Sequence, residues 1–143
     1  DVFTSVEGGT LLAHGAAISP GKPFILARAG DRCLMGLPGH VTSALICARA
    51  FLLPLLHRLQ GRKEEEIAPA VPAVLSRAVA SAQGRRDFIR VRLTKGAEGY
   101  VAEPVMGLSG LISGLVAADA LVLCPENREG LYAGEKVLAE LLD

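Results

Sequence analysis

The sequence has 143 residues, half of them hydrophobic, with 15 basic residues balanced by 15 acidic ones. That length suits one domain or two small ones with a buried core, and zero net charge argues against a general nucleic-acid or membrane-surface binder. Cys33, Cys47 and Cys124 are far apart and include no Cys-x-x-Cys pair, which argues against a disulfide framework or a zinc site and for a reducing cytoplasm.

His14, His40 and His57 make no metal-ligand pattern. Aromatic residues are 4% of the chain and Trp is absent, so aliphatic side chains must do most of the packing. No signal peptide is visible. The apolar run over 41–56 is interrupted by Arg49 and Pro54 and is short for a membrane span. The chain opens on Asp1 rather than Met, which reads as a piece of a longer protein.

Residues 1–9 show no clear period, and Gly8-Gly9 reads as a turn. Residues 10–17 form a β-favouring apolar run. Ser19-Pro20-Gly21-Lys22-Pro23 breaks it, and its prolines and glycine predict a rigid, exposed loop carrying Lys22 as its only charge. Residues 24–29 and 32–36 read as two strands around Gly30-Asp31, a short hairpin signal. A tight loop, Gly36-Leu37-Pro38-Gly39-His40, then feeds a helix over 41–59, where Val41, Ala44, Leu45, Ala48, Leu52, Leu55 and Leu59 recur at helical spacing. Pro54 lies inside it and predicts a kink near Ala50. Gln60-Gly61 ends the helix. The charge run 62–66 and the proline-rich 68–72 predict a solvated connection and a domain boundary, dividing the chain into 1–64 and 65–143.

The second part reads as mostly β. Residues 73–80 are one candidate strand and Gln83-Gly84-Arg85 a turn. Over 87–94 the chain alternates, with Ile89, Val91 and Leu93 on one face and Phe88, Arg90 and Arg92 on the other. A turn at 96–99 leads to a partner strand over 100–105. Residues 111–118 read as a helix of about two turns, 121–124 and 136–141 as further strands, and 130–134 as the separator between them. The pattern predicts a small β-barrel or sandwich.

Candidate chemistry gathers at loops. The start of the 41–59 helix, after a Gly-containing loop, offers free N–H groups and the positive end of a dipole, with Thr42 and Ser43 hydroxyls in the first turn; it reads as an anion site or as a plain strand-to-helix turn. The loop carrying Lys22 could cradle an anion, yet it lacks the Gly-x-x-x-x-Gly-Lys-Ser/Thr pattern and reads equally as a rigid turn. Arg85, Arg86, Arg90, Arg92 and Lys95 outweigh Asp87 locally, and arginine forks suit oxyanions; Arg92 reads as solvated. Ser109 is a helix N-cap or an anion contact, and no neighbouring acid or His supports a serine nucleophile. His40 invites a general-base role but has no obvious partner and reads as a surface residue.

Taken together, the segments from Ala13 to Pro23, Gly36 to Ala44, Pro54-Leu55-Leu56, Gly84 to Arg90, Ser109-Gly110, Ala117 to Leu121 and Gly134 to Val137 resemble the molybdopterin molybdenumtransferase family, the MoeA and gephyrin E-domain proteins. The Pro-Gly-Lys-Pro and Gly-Leu-Pro-Gly pair is the specific part. The resemblance implies the C-terminal portion of such a protein: half of the molybdopterin-binding α/β domain, with strands and one long helix, followed by a small mostly-β, barrel-like domain. It implies insertion of molybdenum from molybdate into adenylylated molybdopterin, with release of AMP in the presence of a divalent metal, Mg2+, whose acidic ligands precede this chain. It also implies a cytoplasmic homodimer. Pro38, Gly39 and Ser43 match the pterin-side loop; Lys22, Pro23, Arg85 and Ser109 match positions around molybdate. No catalytic residue and no metal ligand is assigned within the chain. Two positions differ from the family pattern: Ser19 stands where Lys is usual, and His40-Val41 where Asn-Pro is usual. They motivate an alternative, a molybdopterin- or molybdenum-cofactor-binding or protein-docking module without turnover. The isolated chain is expected to be inactive.

Overall fold

A computed structural model of the chain describes residues 5–62, 69–97, 99–105 and 112–142. Gly30-Asp31 forms the expected two-residue turn: Ala29 pairs with Arg32, and Gly30 takes a φ of +57° that few other residues tolerate. The strands it joins are β3 (Ile25–Ala29) and β4 (Arg32–Gly36), and β1 (Gly9–His14) pairs with β3 to complete an antiparallel sheet of order β1-β3-β4. The run over 10–17 is therefore shorter than predicted. After His14 the chain turns, and β2 (Ile18–Ser19) belongs to a different sheet.

Helix α1 runs Val41–Leu59. Pro54 has no N–H to give and crowds the carbonyl four residues back, so the helix widens to π geometry over Ala48–Leu52, around the predicted Ala50. By length and composition alone α1 could cross a membrane, a test that core helices also pass. Here Ile46 and Cys47 are fully buried, and the Phe51 ring stacks on Phe24 with centroids 4.3 Å apart. Arg49, which interrupts the apolar run, is bound to Glu140 at 2.7 Å.

The rest is β5 (Ala70–Leu75), β6 (Val79–Ala80), β7 (Arg86–Gly96), β8 (Gly99–Pro104), helix α2 (Ile112–Val116), β9 (Ala120–Cys124), β10 (Gly130–Leu131) and β11 (Lys136–Leu141). Strands β7, β8, β5, β11 and β9 follow one another, and β9 returns to pair with β7, so five strands close a barrel rather than form a sandwich. Closure leaves a narrow interior, which suits small side chains: Ala73, Ala102, Ala120 and Ala139 line it beside Leu75, Val91, Val122 and Cys124. Ile89, Val91 and Leu93 share this inner face, as the alternation predicts, while Phe88 packs outward against the α1 side.

Further boundaries differ from expectation. The single strand over 73–80 is two strands: β5 stays in the barrel, whereas β6 pairs with β10, so part of the predicted 130–134 separator is also strand. Strand β5 starts inside the proline-rich tract. Pro72 is accommodated because only β11 flanks it there; pairing with β8 begins at Ala73. Helix α2 is shorter than the predicted 111–118.

The two halves share a second core, in which Leu121, Phe88 and Leu142 of the barrel side meet Ile18, Phe24, Ile46 and Cys47. Strand β2 adds to the barrel parallel to β7, pairing Ile18 with Arg86 and Ser19 with Asp87.

Candidate functional site

A cleft of about 810 Å³ opens where the two halves meet, a size within the range of small-ligand sites. Three stretches of sequence wall it: 16–23, the loop into α1 with Pro38, Gly39, His40 and Ser43, and 82–85.

The first wall is a tightly folded turn. Gly15 N–H donates to the Phe24 carbonyl at 2.7 Å, Ala16 N–H to that of Lys22 at 3.0 Å, and Phe24 N–H to that of Gly21 at 3.1 Å. The Ser19–Pro20 bond is cis. Gly21 is buried with φ +130°, where a Cβ would come within 2.7 Å of Ile18 Cδ1 and 2.8 Å of Cys47 Sγ. The Cys47 thiol donates to the Gly21 carbonyl at 3.5 Å, and burial pushes its pKa up, so it stays protonated as a donor. The loop is thus not uniformly exposed, as the sequence suggested: its apex is anchored on α1 while Lys22 and Pro23 reach solvent at the cleft.

The second wall is the start of α1. Its first intrahelical bond runs from Ala44 N–H to the His40 carbonyl at 2.9 Å, so the N–H groups of Val41, Thr42 and Ser43 have no partner within the helix. His40 caps the helix in extended conformation without a side-chain cap, and no acid occupies the first turn. Ser43 is buried and lines the cleft; Thr42 is fully buried and does not.

The third wall is the turn before β7. Arg85 is about half exposed, and Asp87 behind it is nearly buried; Arg85 Nε lies 3.1 Å from Asp87 Oδ1. Arg86 points elsewhere, to Glu126 at 2.8 Å. Arg90 is buried beneath α2, where a Cβ on Gly114 would meet its guanidinium. Arg92 is exposed, as expected, and donates weakly to the Ala117 carbonyl at 3.4 Å.

Six of the seven residues singled out from sequence, Lys22, Pro23, Pro38, Gly39, Ser43 and Arg85, therefore line one cleft. The seventh, Ser109, lies outside the described residues. Sequence reasoning set His40 aside and passed over Gln83, both of which line the cleft. It also missed Asp87 as the partner of Arg85, although their spacing of two at a strand entry puts both side chains on one side. Among the described residues no carboxylate lines the cleft, and no three His, Cys, Asp or Glu residues could together hold a metal ion. A hard divalent cation such as Mg2+ needs oxygen ligands of that kind, so these residues do not fit one. The arrangement instead concentrates positive charge: an ammonium, a guanidinium and a helix N-terminus face one space, with no counter-charge among the described residues of its wall.

This is an α/β layer edged against a closed five-stranded barrel, with a cation-lined cleft at the joint. Residues 72–142 match the family profile of the MoeA C-terminal region (domain IV). The chain is 32% identical over 126 residues to the molybdopterin molybdenumtransferase of Haemophilus influenzae, covering 87% of this chain and 31% of that protein. Its fold matches the solved molybdopterin biosynthesis MoeA protein of Pyrococcus horikoshii with a TM-score of 0.79 and 36% identity, over 95% of this chain and 33% of that one. It also matches a molybdenum cofactor biosynthesis protein of Pyrococcus furiosus with a TM-score of 0.80 and 32% identity, over 92% of this chain and 45% of that one. The chain belongs to the MoeA family and corresponds to its C-terminal portion. It spans about a third of the length of the curated relatives it matches.

Proposed function

We propose that this chain serves molybdenum cofactor biosynthesis as the part of a MoeA-type molybdenumtransferase that holds the oxyanion and one end of the pterin substrate. The observation that carries the reading is the convergence of Lys22 and Arg85, from distant parts of the sequence, on one cleft that no acid among the described residues lines. Molybdate is a tetrahedral dianion. A lysine point charge and an arginine fork suit it, with Pro23 shaping the rim between them. The phosphate end of molybdopterin would lie along Pro38, Gly39 and Ser43, against the free N–H groups of α1. The names of the relatives support the role in molybdenum cofactor biosynthesis. The barrel's own core, drawn entirely from residues 71–141, supports reading 65–143 as one domain of the parent protein and 1–64 as part of another.

Calorimetric titration of sodium molybdate into the chain tests the proposal. Lys22→Ala and Arg85→Ala are each expected to weaken binding by on the order of tenfold or more, the worth of one charge-assisted contact. Unchanged binding in both overturns the site. Turnover of adenylylated molybdopterin by the 143-residue chain alone would overturn the further expectation that metal ligands outside it are required.

A further inference from the structure

Asp87 does not line the cleft, yet its carboxylate lies directly behind the one guanidinium that does. It is 8% exposed and sits in β7 opposite Ser19 of β2, at the seam of the two halves. Ser81 Oγ donates to Asp87 Oδ2 at 2.5 Å, Arg85 Nη2 donates to the same oxygen at 3.3 Å, and Arg85 Nε stands 3.1 Å from Oδ1. One hydrogen bond, from Nη2 to Oδ2, therefore ties the guanidinium to the carboxylate, while Oδ1 accepts none and its 3.1 Å approach to Nε is an ion-pair contact. A guanidinium is a flat, rigid fork, so holding Nη2 and Nε on the Asp87 side leaves Nη1 turned away from Asp87. Ser81 in turn fixes the carboxylate.

We infer that Asp87, steadied by Ser81, is a positioning residue that holds the Arg85 guanidinium at the cleft through its ion pair and the Nη2 hydrogen bond, making its outer N–H groups a directed donor for a tetrahedral oxyanion. The inference rests on the reading of the cleft as an oxyanion site. Its physical content is a choice between geometry and charge. Asp87 brings a negative charge toward a site for anions, which by itself weakens them. If charge alone governed the site, neutralising Asp87 would tighten binding. If it holds Arg85 in place, neutralising it loosens the fork, and binding weakens despite the gain in net positive charge.

Two measurements on the chain separate these outcomes. The first is the Arg85 NηH2 signal in 1H–15N spectra, read without any anion. It is expected to be resolved and slow to exchange in the wild type, and averaged with the free arginines in Asp87→Asn. An averaged wild-type signal overturns the positioning. The second is molybdate titration of Asp87→Asn, Arg85→Lys, Arg85→Ala and the Asp87→Asn/Arg85→Lys double variant, with melting temperatures alongside. Asp87→Asn is expected to weaken molybdate binding by on the order of tenfold. Arg85→Lys, which keeps the charge and loses the fork, should fall nearly as far as Arg85→Ala, and the double variant should bind no worse than Arg85→Lys. Affinity in Asp87→Asn equal to or above wild type overturns the inference and leaves the oxyanion reading standing. An equal loss from Asp87→Asn in the Arg85→Lys background also overturns it, since Asp87 would then act on the fold rather than through Arg85. An Arg85→Ala variant that binds molybdate like wild type overturns the oxyanion reading itself. Should Asp87→Asn fail to fold, Ser81→Ala carries the test: binding weakened severalfold at an unchanged melting temperature supports the inference, and unchanged affinity overturns it.

Discussion

Gly21 joins the cleft wall to the core, and Gly21→Ala should cost more than any other single methyl added to that loop. Its φ of +130° lies in a region that L side chains rarely adopt, a strain of about 1–3 kcal/mol. The new Cβ would also sit 2.7 Å from Ile18 Cδ1 and 2.8 Å from Cys47 Sγ. Ile18 can swing its terminal methyl aside. Cys47 has no such freedom, because it is fully buried and tied to the Gly21 carbonyl, so overpacking adds about 1–2 kcal/mol. The sum is about 3 kcal/mol, which at a slope of about 2 kcal/mol per molar lowers the urea midpoint by roughly 1.5 M. Far-UV circular dichroism during urea unfolding measures it. Adding Cys47→Ala removes the harder of the two contacts, so the double variant should be less destabilised than the sum of the singles by about 1 kcal/mol. A Gly21→Ala loss below about 0.5 kcal/mol would refute the reasoning as a whole. Strict additivity would refute its steric half and leave the backbone strain.

Further outcomes follow from the contacts around the barrel. Arg49 reaches from α1 to Glu140 at 2.7 and 3.0 Å and to the Leu141 carbonyl at 2.7 Å, so Arg49→Ala should cost about 3 kcal/mol and Glu140→Gln, whose carboxylate is well exposed, about 1 or less; equal losses in urea unfolding would mean that the carbonyl bond carries nothing. The Glu135 carboxyl is lowered from 4.5 to about 2, chiefly by its hydrogen bonds from Arg128, so the stability it contributes is present above pH 4.5 and is lost as the pH falls from there toward 2. Glu135→Gln should therefore flatten the acid-unfolding profile across that window, and an unchanged profile would remove the pair from the account. Gly130→Ala would place a methyl on the Val79 carbonyl oxygen at φ +152°, costing about 3 kcal/mol or more and opening the β6–β10 pair first, visible as faster amide exchange at 79–80 and 130–131 than in β7.

Local chemistry made much of the fold legible. Gly30-Asp31 between two apolar runs fixed the β3–β4 hairpin, helical spacing over 41–59 fixed α1, and the alternation over 87–94 oriented β7 with Val91 inward. What stayed hidden depends on contacts distant in sequence. Ile18–Ser19 is a strand only because β7 lies beside it, and two residues carry no period of their own. The break between β5 and β6 is set where Val79 finds Leu131. The same limit applied to the site. Residue types and order picked out Lys22, Pro38, Gly39, Ser43 and Arg85, but divided them into two groups; only the packing of barrel on sheet puts them around one space.

That packing bears on how well the cleft can discriminate. Lys22 and Arg85 belong to different halves, so their separation is only as fixed as the joint. Three ties hold it: the β2–β7 pairing next to the cleft, the apolar core from Ile18 and Ile46 to Leu121, and the Arg49 clasp on β11. On the proposed oxyanion reading, a cleft built this way would hold its cations at set positions before the anion arrives and would select by fit to those positions rather than by charge alone. The consequence is measurable at a distance: Arg49→Ala, which touches nothing in the cleft, should weaken molybdate binding in proportion to the looseness it introduces. Full molybdate affinity in a variant that has lost about 3 kcal/mol of stability would show that the cleft is organised by its own loops and not by the joint.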